Sequence, residues 1–470
     1  MGEDRFEEHM KQMVLNFKYE FQEGRISAIN LASMTIEKLP APLLEKHAQL
    51  IFLPLVVQMA NDESKECREV ATNCLSKLLH RCPVHQLQAF FDYSVRWCKN
   101  PGPIQKTSLR LFGIFVDSCG DFLKRGDTVD NLISTVYDLL HDGTYDWEIP
   151  YLSLLCLEKL QTAFSQSLST RTELWTEVID ALIHPHPWVK LVSCRLTNRY
   201  LLATDPKSLD AGRGKSASKS FLVQKRGLLF QFAKNLCFQL NVKEEEQNES
   251  LSELGIKSLT WLLPVMDQNR NLCFDDDYAD GNNGDDDDQK RPDPVKWLLS
   301  RLSNIAKNKG NKRRTSIFKC FAAFATHHNA LVAPHLELML EPLHRSNIEA
   351  SNEIDNPSVL SKQKMKTASN STEEAVSEYV TLTRDVLQLL EERSSSSTEF
   401  LRAYANVKSR AREKKEQRKL ESKSEAVRDP QAAAKQKQQK HLREKKRKKR
   451  RVEERRQQRG VNQAKRRHLV

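Results

Sequence analysis

The chain has 470 residues, 39% of them apolar, and a formal net charge of +12. That is enough to bury a large core, as several domains or as one long array. Residues 401–470 hold 27 Lys/Arg against 8 Asp/Glu, or +19, which leaves about −7 for residues 1–400. A mildly acidic body with so basic an end points to a polyanion as partner, and to nucleic acid first.

The opening "MGEDRFEEHM" has no apolar h-region, so no signal peptide is expected. Gly2 lacks the Ser or Thr that myristoylation requires at the sixth position. The longest apolar stretch, Leu50–Met59, is too short to span a bilayer and contains Pro54. The expectation is a soluble intracellular chain with no membrane partner. The ten cysteines form no C-x-x-C pair, and Cys74, Cys156, Cys194 and Cys320 fall on apolar helical faces, as small buried thiols do in a reducing compartment.

Residues 1–345 read as helix after helix. The first stripe is Phe6, Met10, Met13, Val14, Phe17 and Phe21. It starts almost at Met1 without a polar cap. The expectation is that this end packs on something else or continues upstream. Beyond it an internal repeat emerges: an apolar or basic pair, a small residue four on, a small or medium one seven on, an apolar one eight on. Its matches begin at Cys67, Ile104, Ile149, Val189, Leu251 and Arg313, spaced 37, 45, 40, 62 and 62 residues apart. The first three intervals suit a HEAT/armadillo period of roughly 40–47 residues, and the long ones hold insertions. Small residues at those positions let a second helix nest against its neighbour. The alternative is an irregular helical domain.

Two insert loops are expected, a small basic one at 204–220 and an acidic one at 275–293. A polar linker at 346–370 and an amphipathic helix at 371–395, opened by a capping box at Ser371 and Glu374, come next. Residues 396–470 form the basic low-complexity tail. The predicted fold class is all-α: a HEAT/armadillo-like helical-repeat solenoid with a disordered or single-helix basic tail.

Motifs for chemistry are weak. "GRGKS" at Gly212–Ser216 lacks the first glycine of a phosphate-binding loop, since Leu209 stands there, and no strand precedes it. Asp276, Asp280 and Gly281 resemble an EF-hand loop, but Tyr278 occupies a ligand position and Asp287 stands where Glu belongs. His327, His328 and His335, like His184 and His186, lack the i, i+4 spacing of a zinc site. No catalytic residue, metal or cofactor is expected, and the sequons at Asn248 and Asn370 carry no meaning inside a cell. The tail differs. Lys445, Lys446, Arg447, Lys448, Lys449, Arg450 and Arg451 form an unbroken basic run, and Lys465, Arg466 and Arg467 form a second cluster. Such runs serve as nuclear localisation signals for importin-type receptors, and they bind phosphate backbones by counterion release. With no aromatic residue after Tyr404, the tail has nothing to stack on bases.

"NFKYEFQEGRISAINLASMTIEKLP", "IFLPLVVQMANDESKECREVATNCLSKLL" and the tail from "EFLRAYANVKSRAREKK" to "KKRKKRR", with Asp429-Pro430 followed by alanines, resemble the C-terminal HEAT region of the small-subunit processome component 20 family, also called down-regulated-in-metastasis proteins. The resemblance implies a nucleolar scaffold of pre-ribosomal small-subunit assembly, associated with U3 small nucleolar RNA and needed for 18S rRNA processing, without catalytic residues. It also implies the last portion of a much longer solenoid. The expected partners are pre-rRNA or small nucleolar RNA at the tail and other ribosome-assembly proteins on the solenoid. A nuclear transport or trafficking adaptor, with protein cargo on the repeats and a tail used for localisation alone, is the second expectation.

Overall fold

The computed structural model describes residues 3–143, 146–209, 220–240, 249–275, 292–307, 311–355, 370–394 and 396–428, and singly 438, 439, 441, 442 and 445. The chain divides into two compact units, Met1–Ser395 and Ser396–Val470. Among the described residues of the first unit, helices follow one another in sequence-adjacent pairs and no strand occurs. α1 (Glu3–Leu15) packs on α2 (Gln22–Lys38), α3 (Ala41–Asn61) on α4 (Lys65–Arg81), and α5 (Val84–Cys98) on α6 (Pro103–Ser118). α7 (Thr128–His141) packs on α8 (Glu148–Ala163), and α9 (Thr172–Asp180) on α10 (Pro187–Leu202). α11 (Leu228–Gln239) packs on α12 (Glu249–Gln268), α13 (Pro294–Lys307) on α14 (Asn311–His327), and α15 (Leu336–Asp355) on α16 (Asn370–Arg393).

The second helices make one continuous layer, because α2, α4, α6, α8, α10, α12, α14 and α16 each touch the next in that order. First helices from α5 onwards touch in the same serial way. Each pair therefore buries its apolar faces mainly against its neighbours, the arrangement of a helical-repeat solenoid of HEAT/armadillo type. All six sequence matches begin second helices, α4, α6, α8, α10, α12 and α14.

The reason is visible at the small residue. Ala71, Ser108, Ser153 and Ser193 are fully buried. Ser193 Oγ donates to the carbonyl of Val178 on α9 at 2.6 Å, and Ser108 Oγ to that of Ser94 on α5. A larger side chain would hold the two helices of a pair apart. α14 departs from the pattern, with buried Ile317 in that place. Aromatic side chains also pack between helices. Phe52 stacks on Phe90 at 3.9 Å, and Trp175 on Phe221 at 4.5 Å.

The first stripe is shorter than its periodicity suggests. Met10, Met13 and Phe17 are buried, but the helix ends at Leu15, and Phe21 is 60% exposed. The buried Arg25 guanidinium draws the turn inward, donating to the carbonyls of Tyr19 (3.1 Å) and Glu20 (3.0 Å). Gly24 sits so close under the Tyr19 ring that a Cβ would come within 2.2 Å of it. α15 runs to Asp355, ten residues into the stretch read as linker. α16 begins at Asn370 and packs on α14 and α15, with Tyr379, Thr383, Val386 and Leu390 buried. The side chains of Ser371 and Glu374 lie outside those described. Among the described residues no helix is long and apolar enough to cross a membrane.

Candidate functional site

In the second unit, residues Ser397–Arg428 form one helix, α17. At 1.5 Å per residue it is about 48 Å long. It carries ten Lys/Arg against five Glu, and from Lys408 onwards the charged side chains whose burial is described are exposed. Such a rod presents cations around its circumference rather than on one stripe. Of the ten tail residues singled out above, Lys445 is described, and it is exposed. Lys446, Arg447, Lys448, Lys449, Arg450, Arg451, Lys465, Arg466 and Arg467 lie outside the described residues.

The other sequence candidates resolve into structural parts or fall outside. All ten cysteines are buried and free. Burial pushes the thiols of Cys74, Cys119, Cys194 and Cys273 up to about 12, so they are protonated and inert at neutral pH. His184 Nδ1 accepts the His186 amide at 3.0 Å, and His186 Nδ1 accepts the Trp188 amide at 3.3 Å, which starts α10. His335 Nε2 lies 2.9 Å from Asp293 Oδ2 and ties α13 to the α14–α15 connection. Among the described residues no His/Cys/Asp/Glu group could hold a metal ion. Gly212–Ser216 and Asp276–Asp287 lie outside the described residues, apart from the flanks. At the first flank Leu209 is buried, and its carbonyl accepts Asn269 Nδ2 at 3.0 Å.

The body has a feature that the residue-type search missed. A groove of about 440 Å³ crosses the exposed face of α4, α6 and α8, and a second of about 610 Å³ crosses α6, α8 and α10. They share Leu155 and Lys159 and so adjoin, and together they are called the channel. Its floor holds Leu109, Ile114, Leu152 and Leu155; its cations are Lys65, Arg68, Arg110, Lys159, Arg195 and Arg199, against Glu69, Asp117 and Glu158. Glu158 is nearly buried and serves both Arg195 (2.5 Å) and Arg199 (3.6 Å). Lys159 pairs with Asp117. It also lies over the α6 backbone and donates to the Gly113 carbonyl at 3.3 Å, where a Cβ would crowd it. Arg68 is held by the carbonyls of Asp62 and Glu63. Arg110 is exposed, and among the described residues no hydrogen bond or ion pair holds it. The signal was present in the repeat register. Arg110 and Arg195 stand six residues after their anchors, Lys159 and Arg199 ten after theirs, so aligning charge by repeat position exposes the stripe.

Layered helix pairs that pack serially on their neighbours define a protein of the helical-repeat class. The family model for the small subunit processome component 20 homolog, C-terminal, matches residues 157–454. The chain belongs to that family. It is 23% identical over 444 residues to the U3 small nucleolar RNA-associated protein 20 of Saccharomyces cerevisiae, covering 92% of this chain and 16% of that protein. It is 24% identical over 211 residues to the Schizosaccharomyces pombe protein of the same name, covering 42% of this chain and 8% of the relative. The chain thus spans less than a fifth of the length of these relatives. A chain in the solved complex of Kap95p with RanGDP superposes with a TM-score of 0.50 at 11% identity, over 86% of this chain and 50% of that one. That likeness is one of fold.

Proposed function

We propose that the chain is a non-enzymatic scaffold of the nucleolar small-subunit processome. In this reading the repeat body, residues 1–345 with the helix at 371–395, holds other assembly proteins, and the tail at 396–470 holds pre-rRNA or small nucleolar RNA. The observation that carries it is the family match over 157–454, together with two relatives named for association with U3 small nucleolar RNA. The charge distribution supports the division of labour. Phosphate contacts need cations, and the cations are concentrated past residue 401. Lys445–Arg451 serves two ends in turn, import through an importin-type receptor and then phosphate binding in the nucleolus. The transport-adaptor reading gains nothing from Kap95p, since 11% identity brings no cargo with it.

The test is ultraviolet crosslinking of the tagged protein to RNA in nuclear extract, beside a variant in which Lys445–Arg451 is changed to glutamine. The expected outcome is recovery of U3 or pre-rRNA with the unaltered protein and loss with the variant. With purified protein and single-stranded RNA, each neutralised contact flattens the salt slope by about 0.7, so seven contacts remove up to about 5. A variant that loses one RNA sequence while keeping another would contradict binding through phosphate alone.

A further inference from the structure

We infer that the channel across α4, α6, α8 and α10 is a docking site for an extended peptide segment rich in acidic and apolar residues, supplied by a protein neighbour. The inference deepens the reading that the repeat body holds other proteins, and it is independent of what the tail binds.

Charge complementarity names the occupant. The channel lining has six cations and three carboxylates. Asp117 is paired with Lys159, and Glu158 is shared between two arginines, while Lys65 is paired with Glu69 at 3.3 Å. Three positive charges are therefore left over, at Arg68, at Arg110 and at the Arg195–Arg199 pair. They lie on three different helices of the layer, so they mark out a line across it and not a single pocket. Between them runs the aliphatic floor of Leu109, Ile114, Leu152 and Leu155. A peptide with carboxylates and aliphatic side chains satisfies both features. Single-stranded RNA satisfies one. It has no use for an aliphatic floor, and the lining contains no aromatic side chain on which a base could stack.

The spacing sets the pattern of the ligand. Neighbouring packed helices lie about 8–10 Å apart. An extended chain advances about 3.3 Å per residue, so it crosses one helix roughly every three residues. Crossing from α4 to α10 takes about nine residue steps, with acidic side chains about three residues apart between α4 and α6 and about six apart between α6 and α10. Gly113 keeps the middle of the channel open, because Lys159 can lie flat on the α6 backbone there.

The test uses fluorescence anisotropy with the full chain at physiological ionic strength. The probe is a fluorescein-labelled peptide of three aspartates separated by leucine and serine, the first two roughly three residues apart and the last two roughly six apart. The same peptide with lysine in place of aspartate and a fluorescein-labelled 12-mer of uridine are measured alongside. The expected result is binding of the aspartate peptide, weakened at least tenfold in Arg110→Glu and nearly restored in Arg110→Lys, with none for the lysine peptide. The Arg110 side chain is exposed and, among the described residues, unpaired, so its substitution leaves the thermal unfolding curve in place. Leu155→Ser, in the floor, weakens the peptide as well, and the uridine 12-mer binds Arg110→Glu as it does the parent chain. Three results would overturn the inference. The aspartate peptide could bind Arg110→Glu undiminished and be lost on neutralising Lys445–Arg451, which would place it on the tail. The uridine 12-mer could weaken tenfold with Arg110→Glu, which would make the channel an RNA site. Or no aspartate peptide could bind at all. None of the three touches crosslinking of RNA through the tail, so the two readings fail separately.

Discussion

Arg25 and Asp62 show how one pair of residues can decide the entry to the array. The carboxylate of Asp62 accepts Arg25 Nε at 2.8 Å and Nη2 at 3.0 Å, with side-chain exposures of 10% and 2%. The same guanidinium gathers the Tyr19 and Glu20 carbonyls, so the α1–α2 turn and the end of α3 are tied at one point. Burial by itself pushes the Asp62 carboxyl up, but the Arg25 guanidinium and the Ser64 amide outweigh it and hold the group below its ordinary value. The folded state therefore binds fewer protons there than the unfolded one. The stability this adds is complete above about pH 4, near the unfolded carboxyl value, and is lost as the pH falls through the lower folded value. Urea unfolding of Asp62→Asn is expected to show a shallower fall of stability below pH 4 than the parent chain. Ser193 poses a different question, size against hydrogen bonding. Ser193→Ala gives up one buried hydrogen bond, a loss of about 1 kcal/mol. Ser193→Leu adds an overpacking cost of about 1–3 kcal/mol on top. If the two variants unfold at the same urea concentration, close approach of α9 and α10 is not what the serine is for. The small positions of the repeat were legible in the sequence because they recur. The Arg25–Asp62 pair was not, since nothing along the chain says which of many charges will meet.

At the scale of the element, α17 and the second-helix layer are opposites. The second helices owe their place to packing. Their buried small residues and the cross-links between them, Lys77 to Glu37 at 2.6 Å and Asn198 to Ser258 at 3.2 Å, join residues 40 and 60 apart. α17 is largely exposed past Lys408 and rests there on local propensity, since Lys, Arg, Glu and Gln are good helix formers. Lys415→Pro in its middle is expected to cost that helix about 3 kcal/mol. The far-ultraviolet circular dichroism should lose part of its helical signal while the main unfolding transition of the body stays where it was. A shifted main transition would mean that α17 supports the body. The pattern that marks the array also shows where its period breaks. Inserts stretch the fourth and fifth intervals to 62 residues, and the part of α15 past residue 345 reads like a linker because few of its residues are apolar.

For the whole molecule the consequence of serial packing is limited cooperativity. Among the described residues each pair packs mainly on its neighbours in the array, so damage travels a short way. Phe112→Ala, in the fully buried centre of α6, is expected to cost about 3–5 kcal/mol. Hydrogen exchange should quicken in α5 to α8 and stay near its original rate in α14 to α16. Uniform acceleration would show one all-or-none unit instead. Charge is spread unevenly along the sequence: the channel lining carries six cations against three carboxylates, and residues 401–470 carry +19.

The amino-acid sequence by itself determined the helical period, the recurrence of small residues, the inert cysteines' apolar setting and the placing of positive charge at one end. These are properties of single residues or of neighbours a few positions apart, and the 3.6-residue turn carries them. It also held the family likeness, in the opening phrase and the basic end. Tertiary structure alone decided that Arg68, Arg110 and the Arg195–Arg199 pair line one channel and that Glu158 answers to two arginines. It alone decided that Phe21 faces outward, too. Those outcomes depend on the distance and rotation between helices some 40 residues apart. That geometry is set by the summed fit of whole faces, so no local pattern encodes it.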